Sequence, residues 1–163
     1  MQPDPSLKAT VANSFAVTIE IRASPAQVFW FLADPSTAPI IDPAVISYAP
    51  DGGTMGLGVM NHMKLRLLGV NRNITSETTD WDPGIRMAFR SLTPGRPVVV
   101  SATHLFEPCA AGTRYTWSMG FTPKGIGGRL AARCAAALLR RNAVAQQQRV
   151  RTVIEAVNDA GRK

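Results

Sequence analysis

A chain of 163 residues that is 45% apolar and 18% charged is globular and has room for one domain with a sizeable core. No stretch approaches the roughly 20 uninterrupted apolar residues of a membrane span, and two cysteines cannot form a disulfide framework. The formal charge of +7 is unevenly placed: residues 1–123 hold nine Lys/Arg and nine Asp/Glu, so the whole excess lies in residues 124–163.

In chain order, residues 1–12 carry no signal-peptide pattern and read as a flexible leader to a single domain over 13–160. With Cys109 and Cys134 expected as reduced thiols, this suits a cytoplasmic protein. Phe15, Val17, Ile19 and Ile21 alternate with polar or small residues, the period of a half-buried strand. Ser24 then caps a short helix, Pro25 opens it and Asp34-Pro35 ends it. Its run Val28-Phe29-Trp30-Phe31-Leu32 is apolar on more than one side, so the helix must be gripped by the rest of the fold. A proline-rich connector over 35–43 has room for one more helical turn.

Six strand-like runs follow: Val45–Pro50, Val59–Leu68, Asn73–Trp81, Ile85–Leu92, Val98–Glu107 and Thr113–Phe121. Gly52-Gly53, Gly69-Val70-Asn71, Asp82-Pro83-Gly84, Pro94-Gly95 and Ala110-Ala111-Gly112 break them at hairpin spacing. From about Ile126 to Val157 the pattern is one long helix rich in Ala, Leu, Arg and Gln. The order predicts an α+β helix-grip fold. A curved antiparallel sheet of seven strands wraps a long C-terminal helix, with one or two short helices after the first strand and the first of them plugging one end through Phe29, Trp30 and Leu32.

The stretches IEIRASPAQVFWFLADP, FEPCAAGTRYTW and GIGGRLAARCAAALLRR…VIEAV resemble the START-like (SRPBCC, Bet v 1-like) superfamily, and within it the polyketide cyclase/dehydrase and lipid-transport group. The resemblance spans about residues 15–157. It implies a cavity between sheet and helix for a hydrophobic small molecule, with some members cyclising or dehydrating polyketides and others carrying lipids or quinones.

Strand parity decides which residues face such a cavity. Tyr115, Trp117, Met119 and Phe121 share the apolar face of the last strand, and Val100, Ala102, His104 and Phe106 that of the strand before it. Ile85, Met87 and Phe89 face in from the fifth strand. Val59, Met63, Leu65 and Leu67 do so from the third, sending His62, Lys64 and Arg66 out. For Asn73–Trp81 both parities are plausible. His104 and Tyr115 are the candidate proton-transfer groups, because histidine titrates near neutrality and an apolar cavity shifts its pKa. The ordinary alternative for His104 is a core histidine satisfied by a neighbouring hydroxyl such as Tyr115. His62 and His104 face opposite sides, so no metal and no cofactor is expected.

At 100° per residue, Arg129, Arg133, Arg140 and Arg151 of the long helix fall within about 40° of one another. They form a solvated face or a contact for an anionic membrane or an acidic protein, while the missing aromatic platform speaks against nucleic acid. Leu130, Cys134 and Leu138 read as the helix's apolar stripe, drifting to Leu139, Val150, Val153 and Val157 by curvature or a break near Arg141-Asn142. The alanines between Ala131 and Ala137 would leave apolar volume unfilled over the sheet. The expected ligand-binding set is therefore Met87, Phe89, His104, Phe106, Tyr115, Trp117, Met119, Leu130 and Cys134. The expected function is that of a carrier or sensor of a lipid, quinone or polyketide-like molecule, as monomer or homodimer. The alternatives are a cyclase or dehydratase using His104 and Tyr115, and a regulatory module docking through its basic helix.

Overall fold

The computed structural model describes residues 13–92 and 94–161. Its elements are β1 (Ser14–Ile21), α1 (Pro25–Ala33), α2 (Ala38–Ile41), β2 (Val45–Pro50), β3 (Met60–Leu67), β4 (Val70–Asp82), β5 (Arg86–Ser91), β6 (Val98–Cys109), β7 (Gly112–Pro123) and α3 (Gly125–Ala160). The seven strands make one antiparallel sheet in the order β1-β7-β6-β5-β4-β3-β2. The first two strands are thus its opposite edges, and α1 and α2 carry the chain across. This is the helix-grip arrangement.

Two local features refine the strand boundaries. Leu67 pairs with Val70, so the β3–β4 turn is only Leu68-Gly69, with φ of 50° and 79°, the positive pair that a tight hairpin needs. In β4 the register shifts between Thr78 and Asp80. That bulge resolves the parity of this strand: Thr78 pairs with Phe89 and, past the bulge, Trp81 pairs with Met87, so both stretches face inward.

The short helix α1 is held at its N-terminus by a reciprocal cap. Gln27 N–H donates to Ser24 Oγ at 3.3 Å, and Ser24 N–H donates to Gln27 Oε1 at 2.9 Å. Val28 and Phe29 are fully buried, with the Phe29 ring 4.9 Å from Trp81 and 5.5 Å from Phe106. Trp30, expected inside the plug, is 56% exposed and lies over the Phe29 and Trp81 rings from the outside. Ile85, expected inward, is also exposed, because it belongs to the turn that starts β5 and its N–H closes that turn on Asp82.

The helix α3 runs without a break through 36 residues, about 54 Å at 1.5 Å each. Its buried line is Ala132, Ala143, Gln147, Val150 and Ile154, with Leu139 partly buried beside it. These fall within about 80° of one another, so no break is needed. The expected stripe of Leu130, Cys134 and Leu138 points the other way: Leu130 is 70% exposed, Cys134 and Leu138 are exposed too, and Val157, expected to continue the stripe, also faces solvent. The reason is steric. The sheet already presents Phe15, Trp117 and Phe121, and small side chains let a helix backbone settle onto rings of that size, which leucines would hold off. At its far end α3 is latched to β1: Glu155 takes the Arg22 backbone N–H at 3.0 Å and its guanidinium at 3.1 Å, and Asn158 Nδ2 donates to the Arg22 carbonyl at 3.2 Å.

Gly112 shows how tightly β1 and β7 meet there. A Cβ on it would lie 2.6 Å from the Ile21 carbonyl and 2.8 Å from that of Ala23.

Candidate functional site

Seven strands about 4.8 Å apart span roughly 29 Å, whereas a helix with its side chains is about 10–12 Å across. One helix cannot cover the whole concave face. α3 packs on β1 and β7 and only grazes β6. Under it Phe15, Trp117 and Phe121 are buried. Beyond it the inward residues Met63, Ile74, Phe89 and Ala102 are only half-buried, although they are apolar, and Met119 of β7 is half-buried as well. Apolar side chains on the part of the concave face that α3 does not cover are thus left partly accessible beside the helix.

At the seam between the covered and uncovered parts sits a polar group. His104 Nδ1 is 2.7 Å from the Tyr115 hydroxyl, and the two rings stack with centroids 5.9 Å apart. The Phe89 ring meets His104 edge-on at 5.7 Å. The imidazole keeps a little accessible surface, yet loss of water among its dense neighbours pulls its pKa down to about 4. It is therefore neutral at pH 7. Burial also pushes the Tyr115 phenol well above its ordinary value, while a hydrogen bond from Gln147 works in the other direction.

With the Tyr115 O–H donating to Nδ1 of the neutral imidazole, the His104 proton sits on Nε2, where it can serve one further group. Gln147 is 2% exposed, and its Oε1 is buried with no partner.

Of the residues expected to bind a ligand, the structure brings Phe89, His104, Tyr115, Trp117 and Met119 to one continuous inner surface of β5, β6 and β7. Met87 and Phe106 lie deeper, 1% and 2% exposed, in the core beneath α1. Leu130 and Cys134 are on the far side of α3 and face solvent, as does Ala137. Arg129, Arg133 and Arg140 are exposed.

Two inward polar residues escape a reading that looks for titratable groups. Asn61 shares the parity of Met63 and Leu65, which was signal enough. It is fully buried, and its Nδ2 donates to Thr78 Oγ1 at 2.9 Å and to the Val59 carbonyl at 3.1 Å, while Oδ1 has no partner. Gln147 lies on the arc through Ala143, Val150 and Ile154, visible only once the buried face of α3 is chosen correctly. Among the described residues, no three His, Cys, Asp or Glu side chains converge as a metal site would require, and no helix is long and apolar enough to cross a membrane.

Comparison with solved structures places this architecture among known folds. The aromatase/cyclase Zhui from Streptomyces sp. R1128 is 22% identical, with a TM-score of 0.71 over 88% of this chain and 93% of that one. The di-domain aromatase/cyclase StfQ of the steffimycin pathway is 16% identical, with a TM-score of 0.69 over 91% of this chain and 52% of that one. Ara h 8.0201 is 14% identical, with a TM-score of 0.66 over 88% of this chain and 97% of that one. At such identities the likeness is one of fold. No curated protein matches the chain in sequence. The family described as polyketide cyclase / dehydrase and lipid transport matches residues 12–155. With that match running over nearly its whole length, the chain belongs to this family of the START-like superfamily.

Proposed function

We propose that the protein holds a hydrophobic small molecule, a lipid, quinone or polyketide-like compound, in the cleft between the open part of its sheet and α3, as a carrier or sensor. The observation that carries this reading is the half-buried state of Met63, Ile74, Phe89, Ala102 and Met119 on the concave face. Apolar side chains left accessible inside a concavity gain about 25 cal/mol for each Å2 that a ligand covers. The Nε2–H of His104 supplies one directional contact, suited to a ligand carbonyl or hydroxyl. The unpartnered Oε1 of Gln147 is a second candidate contact, because a buried acceptor without a donor costs free energy that a ligand hydroxyl would recover.

Cyclase or dehydratase chemistry is the second reading, favoured by the hydrogen-bonded Tyr115–His104 pair and by the family. Against it, a histidine with a pKa of about 4 is protonated in only about one molecule in a thousand at pH 7, and is a weak base when neutral.

Titration with an apolar fluorescent probe separates the two, supported by native mass spectrometry for a co-purified ligand. His104→Ala should weaken probe binding about fivefold, one hydrogen bond's worth. If a polyketide-like substrate is instead turned over, and His104→Ala slows it by 10²-fold or more, the enzyme reading replaces the carrier. A wild type that takes up no apolar molecule overturns both.

A further inference from the structure

The outer face of α3 has the wrong composition for a surface that meets only water. Between residues 124 and 154 there are seven Lys/Arg and no Asp/Glu. On the sheet's outer face each of three arginines has a carboxylate: Arg86 with Asp80, Arg90 with Glu77 and Arg114 with Glu20. On α3, Arg129, Arg133, Arg140 and Arg141 make no ion pair among the described residues. Large apolar side chains stand among them, with Leu130 70%, Val144 55% and Leu138 39% exposed. At 100° per residue Leu130, Arg133, Arg140, Arg141 and Val144 fall within about 100° of one another, so cationic and apolar groups share one face. An open groove of about 410 Å3 runs along its flank, walled by Arg133, Arg140 and Arg141, floored by Ala136 and Ala137, and closed at one side by Ser14.

We infer that this face docks on a lipid surface carrying anionic headgroups. The arginines meet headgroup phosphates, one of which can occupy the groove, and Leu130 and Val144 enter the interfacial region between them, with Leu138 at the margin of the face. A helical stretch that presents cations and protruding aliphatic groups together, with no acidic residue between 124 and 154, has the composition of an interfacial binder. A soluble anion would use the charges and leave the exposed Leu130 and Val144 unexplained. The inference concerns the outside of α3 and stands whichever molecule the cleft holds.

The test is cosedimentation of the full chain, without added ligand, with vesicles of phosphatidylcholine alone or with a third phosphatidylglycerol. The wild type should bind the anionic vesicles at low salt and the neutral ones only weakly. Replacing Arg133, Arg140 and Arg141 together by Gln should weaken binding roughly fivefold per charge, about a hundredfold in all. The control replaces Lys64, Arg66 and Arg72 of the β3–β4 hairpin by Gln, which removes the same charge elsewhere and should cost less than about fivefold. Leu130→Ser with Val144→Ser should keep low-salt binding and lose the part that survives higher salt. All these side chains are exposed, so melting temperatures should barely move. An Arg→Lys triple at 133, 140 and 141 keeps the charge and should keep binding. Equal losses in the two Gln triples, or a wild type that takes up glycerol phosphate or an acidic protein but not vesicles, overturn the inference.

Discussion

Over β1 and β7 the concave face is closed: Phe15, Trp117 and Phe121 are at most 9% exposed, and Ala132, Ala143 and Val150 of α3 complete their packing. Towards β5, β4 and β3 the same face carries Phe89, Ile74 and Met63, no less apolar, and leaves them half-buried. The difference lies in what stands opposite rather than in the strands. A straight helix covers only part of a sheet several times its width, and in this chain it covers the edge nearest its own start, because α3 follows β7 directly and its far end is fastened to β1 through Arg22 and Glu155. Stability and ligand affinity should therefore be assigned to different inward residues.

The largest effect expected from this division is in the closed half. Phe121→Ala removes a ring that is 2% exposed and stacks on Phe15, and should cost about 3–5 kcal/mol in chemical denaturation. Affinity of the folded fraction for an apolar probe should hardly change. A loss under about 1.5 kcal/mol would mean that the closed half is loosely packed as well, and the comparison would break.

His104, at the seam, should show itself through pH. Its folded pKa of about 4 lies below the ordinary value of 6.5, so the unfolded chain takes up this proton first as pH falls. The resulting stability is fully present above about pH 6.5 and is lost as pH drops towards 4, about 3 kcal/mol in all. His104→Gln has nothing to titrate, and its stability relative to wild type should rise across that window. A difference independent of pH would place the imidazole in contact with water and remove it from the seam.

The sheet was legible from alternation and turn residues because both are local: the seven strands and the inward parity of β6 and β7 need nothing beyond a period of two, whereas the pairing of β1 with β7 is a long-range contact. The β4 parity was not, since the bulge between Thr78 and Asp80 is set by the partner strand. The buried face of α3 was misread for a related reason. Leu130 and Leu138 look like a core stripe when the helix is considered alone, and only the size of Phe15, Trp117 and Phe121 across the interface makes the alanine line the better fit. His104 and Tyr115 could be found because titratable groups on apolar parity stand out. Gln147 could not, because its role depends on which side of α3 is inside.

The smallest stability effect should come with the clearest effect on binding. Phe89 is half-buried, touches His104 edge-on, and sits opposite Thr78 on one side and Ala102 on the other, beyond the strands that α3 covers. Phe89→Ala removes a ring whose burial is partial, so only part of the 1.5–3 kcal/mol of a fully buried apolar side chain is at stake, about 1 kcal/mol. The ring is also the half-buried aromatic group that meets His104, with centroids 5.7 Å apart. Its loss should weaken an apolar probe about tenfold, with Met119→Ala acting in the same direction. The comparison with Phe121 is then a double dissociation: one phenylalanine costs stability and spares binding, the other spares stability and costs binding. If Phe89→Ala unfolds the protein as Phe121→Ala does and leaves probe binding unchanged, the two halves are one core and the cleft is not where the ligand sits.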